Sequence, residues 1–195
     1  MAIAFVLGNG QSRRSIDPAD LKKFGRVYGC NALYRTFAPD CLVATDRPIA
    51  QEIQNSGYSL KHTFYTRRPL PNQGAKVLPK KYFGNSSGPA AIALAALDGH
   101  QRIYMLGFDM GPNGSGKFNN IYADTEFYKS SKDTATFTGN WIRQIQIICR
   151  DFPQHEFVRV IGDVTAPVPE IHSMPNLKAM PMAAFVNQLS NSNSF

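Results

Sequence analysis

The sequence predicts an α/β domain built on a mainly parallel sheet with helices on both faces. Three observations carry this. Ala2–Leu7 is an unbroken run of six apolar residues, too continuous for a half-exposed strand and suited to one buried on both sides. Further short apolar runs alternate with helix-start and helix-stop signals. No internal repeat or linker divides residues 1–195, so the expectation is a single domain with one sizeable core.

The elements follow in order. After Leu7, Gly8-Asn9-Gly10 makes a tight turn in which two side chains are absent and Asn9 tolerates left-handed geometry. Asp17 suits a helix N-cap, Pro18 the first helical position and Gly25 the stop. Arg26–Cys30 reads as a second strand, Asn31–Tyr34 as a loop or short helix, and Asp40–Asp46 as a third strand. Pro48–Gln54 fits a helix closed by Gly57, and Leu60–Thr66 alternates as a fourth strand. Residues 67–84 carry prolines, two glycines and five basic residues without periodicity, which suggests a functional flap or an excursion along the sheet edge.

Ser86–Gly99 is the clearest helix: a serine cap, an early proline, an alanine-rich body and a glycine stop. Being apolar nearly all round, it should lie buried at the centre. Arg102–Phe108 is the next core strand, with Asp109 at its carboxyl end. Residues 110–138 are 29 polar, glycine-rich positions with interspersed aromatics. They are read as a lid loop, either mobile over a site or packed by its own aromatics. Asn140–Arg150 is an amphipathic helix, and His155–Ile161 the last expected core strand. Residues 163–195 are expected to be an irregular extension with a short helix near Met182–Leu189 and a frayed tail.

Composition narrows the function classes. No apolar run approaches the roughly 20 residues needed to span a bilayer, and Met1-Ala2-Ile3 lacks the basic start of a signal peptide. Cys30, Cys41 and Cys149 are odd in number and show no Cys-x-x-Cys spacing. They read as reduced thiols with neither a disulfide framework nor a zinc site, and the expected location is cytoplasmic. The net charge of +7 favours anionic partners. Its cations are scattered in pairs such as Arg67-Arg68, however, and no nucleic-acid module accompanies them.

In an open parallel sheet, ligands bind outside the carboxyl ends of the strands where the strand order reverses. The loops expected there are Gly8-Asn9-Gly10-Gln11-Ser12, Cys30-Asn31, Thr45-Asp46-Arg47 and Phe108-Asp109, joined by the helix start at Ser87-Gly88. Short polar groups, two carboxylates and helix N-termini suit a ribose, a base edge and phosphates. The full dinucleotide fingerprint is absent, because Arg13 stands where a third glycine is expected.

The series Gly8-Asn9-Gly10-x-Ser12, Cys30-Asn31, Ser87-Gly88 before an alanine-rich helix, and Ile103-Tyr104-x-x-Gly107-x-Asp109 resembles the bacterial sialyltransferases of glycosyltransferase family 42. It is also similar to the wider group of MptE-like, Rossmann-type proteins, named after a pterin pyrophosphokinase. The similarity covers about the first 110 residues. It implies a cytidine nucleotide sugar such as CMP-sialic acid held by Gly8, Asn9, Gly10, Ser12, Asn31, Ser86, Ser87 and Gly88, with no metal required. It further implies a lid tyrosine on the leaving phosphate, for which Tyr122 is the nearest match.

The departures are equally specific. Where the family carries its general-base histidine, this chain has Phe137-Thr138-Gly139-Asn140, and Thr45-Asp46 replaces a neutral amide. His172, Asp46 and Asp109 are the remaining candidates for a base. Three functions stay open: transfer of a sugar from a nucleotide donor to a glycan acceptor, magnesium-dependent phosphoryl transfer with Asp46 and Asp109 as ligands, and non-catalytic nucleotide binding as an envelope or virion accessory. Homo-oligomerisation is open under each.

Overall fold

The computed structural model describes residues 2–191 and 195. The chain opens with β1 (Ile3–Leu7), α1 (Pro18–Leu21), β2 (Arg26–Cys30), β3 (Cys41–Val43), α2 (Arg47–Asn55) and α3 (Tyr58–Lys61). It continues through β4 (Phe64–Thr66), β5 (Lys76–Val77), α4 (Ser87–Leu97), β6 (Arg102–Leu106) and α5 (Gly139–Asp151). It ends with β7 (Glu156–Ile161), α6 (Pro169–His172), β8 (Leu177–Pro181) and α7 (Met182–Ser190).

The strands form one sheet in the order β5-β4-β3-β2-β1-β6-β7-β8. Every neighbouring pair is parallel. β1 is central, as its apolar run predicts, with Phe5 in register with Val27 on one side and Tyr104 on the other. Because side chains alternate along a strand, Ala4 and Val6 face a core shared with α4, α5 and α6. Phe5 and Leu7 face the second core, which holds Leu21, Ile49, Ile53 and Phe185 from the opposite layer of helices. Removing Phe5 from water contributes roughly 2–3 kcal/mol.

α4 packs against β1, β2, β3 and β6. Its residues Ala90, Ala91, Ala93 and Ala95 are fully buried, and their small side chains let the helix lie close against the sheet. The N-terminus of α4 is thereby carried to the carboxyl edge of the strands. Asp17 caps α1 by accepting from the N–H of Ala19 at 2.9 Å. No helix among the described residues is long and apolar enough to cross a membrane.

Two expected elements differ, and a third takes one of its two expected forms. The fourth strand is only Phe64–Thr66, because Gly57 adopts φ 78° after α2 and the chain resumes as the single turn α3. Residues 67–84 are the edge excursion, contributing β5 beside β4. The extension over 163–195 is not irregular: α6, β8 and α7 occupy most of it. β8 is an edge strand in which Leu177 alone is fully buried, so its backbone ladder to β7 organises it where no apolar run does. The chain end also contributes, with the Phe195 ring 5.6 Å from that of Phe5.

The 110–138 loop takes the packed arrangement. It contains one isolated antiparallel bridge, Lys117 to Thr134, and buries Phe118 and Tyr122.

Candidate functional site

The chain runs outward from β1 in one direction through β2, β3 and β4, and in the other through β6, β7 and β8. The strand order therefore reverses between β1 and β6, and loops leaving their carboxyl ends diverge there. A cleft of about 200 Å³ opens at this place. Its floor is Gly8–Gly10 and Gly107–Asp109, and one wall is Asn31, Thr45, Asp46, Arg67 and Ser86–Gly88. Phe118, Asn119, Asn120 and Trp141 lie along the other side. Asn9, Asn31 and Ser87, distant in sequence, thus share one cavity as the strand-end rule requires.

The floor is internally bonded. The N–H groups of Gly8 and Gly10 donate to the carbonyls of Leu106 at 2.8 Å and Gly107 at 2.9 Å. Those of Gln11 and Ser12 donate to Asn119 Oδ1 at 2.8 Å and Asp109 Oδ2 at 3.0 Å. The glycine loop therefore does not present these donors to a phosphate, which corrects the cradle expected from its sequence. Its glycines serve close approach instead: a Cβ on Gly10 would sit 2.4 Å from Asp109 Oδ2. Arg13, buried in place of a third glycine, donates to the Gly8 carbonyl and, at 3.0 Å, to Asn9 Oδ1. Asn9 Nδ2 in turn donates to the Cys30 carbonyl at 3.1 Å.

Asp109 is a clamp. Oδ2 accepts from Ser12 N–H and from Asn119 Nδ2 at 3.1 Å, while Oδ1 accepts from the Thr165 hydroxyl at 3.1 Å. Beneath it, Arg159 is completely buried and donates to the Phe108 carbonyl at 2.9 and 3.0 Å and the Asp109 carbonyl at 3.1 Å. Burial pulls its guanidinium down to about 10, opposed by the Asp109 charge. Neither arginine follows from a sequence motif. The one available signal for Arg159 is a single charge inside the apolar strand Glu156–Ile161.

The wall is built differently. Ser87 Oγ donates to Asn31 Oδ1 at 2.9 Å and accepts from the Thr45 N–H at 3.0 Å, joining β2, β3 and α4. Asn31 holds φ 54°, a left-handed conformation that asparagine adopts more readily than most residues. Ser86 provides no side-chain cap for α4. The first-turn N–H groups of Ser87 and Gly88 have no intrahelical acceptor and lie at the cleft. Arg67 is held by the carbonyls of Phe83 at 2.8 Å, Gly84 at 3.3 Å and Asn85 at 2.8 Å. It has no carboxylate partner among the described residues.

Three expected site residues lie elsewhere. Ser12 borders Gly162, where a Cβ would sit 2.7 Å from its own, and its hydroxyl is buried without a partner. Tyr122 is buried beneath the loop, and its hydroxyl meets Thr36 Oγ1 at 3.1 Å, so it does not face the cleft. His172 lies behind the floor, with Nε2 3.4 Å from Arg159 Nη1. Burial and the Arg159 cation hold its imidazole below the ordinary range. Asp46, exposed at the start of α2 with no capping bond from its side chain, is the carboxylate open to the cleft.

Asp46 and Asp109, the carboxylates of the magnesium reading, both line the cleft. Both Asp109 oxygens already accept from protein donors, and among the described residues no three His, Cys, Asp or Glu side chains are grouped to hold a metal. Cys30, Cys41 and Cys149 are free and buried. Comparison of the chain with protein-family models, curated proteins and solved structures finds no match.

Proposed function

We propose that this protein binds a nucleotide sugar in the cleft and transfers its sugar, in the manner of the family 42 sialyltransferases that its motif series resembles. The observation that carries the reading is the pairing of the open α4 N-terminus with Arg67 on one wall. Unbonded first-turn amides, the positive end of a helix dipole and an unpaired guanidinium together suit a phosphate. Asn9 and Asn31 border the space beside them, and Phe108, Phe118 and Trp141 offer apolar surface for a base or sugar. Asp46 is the base in this reading: its carboxylate takes the proton of the acceptor hydroxyl as the sugar leaves the phosphate. The Arg67 cation offsets the charge that develops on the leaving nucleotide.

The positions of His172 and Tyr122 favour a second reading, binding without transfer, since neither residue that the resemblance would enlist reaches the cleft. Calorimetry with cytidine, uridine, guanosine and adenosine nucleotides, with and without magnesium, tests the binding. Metal-independent binding of a cytidine nucleotide, weakened at least about tenfold by Arg67→Ala, is expected. Binding that requires magnesium, or ignores Arg67, overturns the reading. Donor hydrolysis then separates the two functions: turnover abolished by Asp46→Asn means transfer, and no turnover by the unmodified protein means binding alone.

A further inference from the structure

We infer that a second depression, meeting the cleft at Asp46, is the acceptor subsite and takes an anionic saccharide bearing a carboxylate or phosphate. The inference rests on the transferase reading and adds the class of its second substrate.

Thr45, Asp46 and Arg67 belong to both cavities, so the two meet along the carboxyl ends of β3 and β4. The second, about 330 Å³, lies between α2 and the segment after β4. Gln54 fixes its base. Fully buried, it donates to the Ala50 carbonyl at 3.0 Å and accepts from the Leu70 N–H at 2.7 Å, tying the segment to the helix. Arg47 and Arg68 are exposed on its rim, and neither has a carboxylate partner among the described residues.

Two features of this rim suit an anionic occupant. Arg47 is the first residue of α2, where the helix dipole disfavours a cation, and Asp46 at the N-cap is the acid beside it, with none in the first turn that follows. Arg67 and Arg68, in a stretch over residues 53–97 that contains no aspartate or glutamate, line the depression together with Arg47. Self-repulsion of that kind is relieved by a bound anion.

The geometry also orders the reaction. An acceptor in the groove places its hydroxyl beside Asp46, with the donor on the far side in the cleft. The hydroxyl oxygen forms the new bond to the anomeric carbon, and its proton passes to the Asp46 carboxylate. The bond from the anomeric carbon to the phosphate oxygen breaks, and its electron pair leaves with the nucleotide. A confined depression suits one or two sugar residues better than a polynucleotide.

Direct titration by calorimetry or ligand-observed NMR tests this with galactose 6-phosphate, digalacturonate, lactose and oligothymidylate, with cytidine monophosphate affinity measured separately. The two anionic saccharides are expected to bind at least about tenfold more tightly than lactose. The variant Arg47→Ala/Arg68→Ala should lose that advantage while keeping its unfolding temperature and its cytidine monophosphate affinity within about twofold. Anionic saccharide binding that depends on these arginines supports the subsite even if the nucleotide does not bind, an outcome that removes the donor reading alone. Nucleotide binding with no preference for anionic over neutral saccharide overturns the subsite alone. Oligothymidylate bound through the same arginines, with no saccharide bound, also overturns it and assigns the groove to a polynucleotide.

Discussion

The floor of the cleft and its side wall use similar residues for opposite ends. On the floor, glycine amides, Asn9, Arg13, Asp109 and Arg159 are joined to one another, and little hydrogen-bonding capacity is left over. On the wall, the α4 amides, Arg67 and Asp46 keep capacity free. The floor is where the most recognisable motif lies, and the wall is where a ligand finds partners. A Gly-Asn-Gly turn at the switch point can therefore serve as the keystone of a site without being its anion-binding loop.

The largest test of this contrast is Arg159→Met. It keeps the apolar stem but leaves the Phe108 and Asp109 carbonyls without their donors, and chemical denaturation should show a loss of about 3–4 kcal/mol. Unchanged stability would mean the floor is not held from beneath. Next is Gly10→Ala, whose new Cβ would lie 2.4 Å from Asp109 Oδ2 and 2.6 Å from the Gly107 carbonyl oxygen. A cost of about 2–3 kcal/mol is expected. Gly84→Ala, with nothing within 4 Å of its Cβ, should stay within about 0.5 kcal/mol and serves as its control.

Arg67→Ala should behave in the reverse way. Two of its three bonds are to exposed carbonyls and the third, to Asn85, is only partly buried, so stability should fall by about 1 kcal/mol while nucleotide affinity falls about tenfold. Similar losses from Arg67→Ala and Arg159→Met in both measurements would erase the distinction between wall and floor. The smallest effect concerns acid. His172 titrates below its ordinary value, so its contribution is complete above the unfolded value of about 6.5. It fades as the pH falls through the lower folded value. Thermal scans from pH 7 to pH 5 should therefore fall less steeply for His172→Gln than for the unmodified protein.

Legibility follows the same division. β1, α4 and β6 declare themselves because double-sided burial demands unbroken apolar runs, and Asn9, Asn31 and Ser87 follow from the positions of those strands. Leu177-Lys-Ala-Met-Pro181 carries no such run, because an edge strand is fixed by its neighbour's backbone. Leu60–Lys61 alternates like a strand, yet Gly57 restarts a helical turn ahead of it. The arginines divide too: Arg67 and Arg159 take their roles from residues far along the chain, whereas Arg13 bonds the adjacent Gly8-Asn9 turn, and no motif announces any of them. Tyr122 and Asn119 lie three residues apart, and only the loop's path decides that Asn119 borders the cleft while Tyr122 turns inward.

Cys30 gives the floor a clock. Its sulfur lies 3.8 Å from Asn9 Nδ2 and 3.5 Å from the Leu7 carbonyl oxygen, at the end of β2. Burial pushes its thiol up to about 12, so the folded protein at neutral pH keeps it as the unreactive thiol. An alkylating reagent must then wait for the turn above to lift, and the rate at which Cys30 is modified counts those openings. Cys149, also buried but on α5, keeps separate time for the helix layer away from the cleft floor. In single-cysteine variants, an occupant of the cleft should slow the first clock and leave the second running.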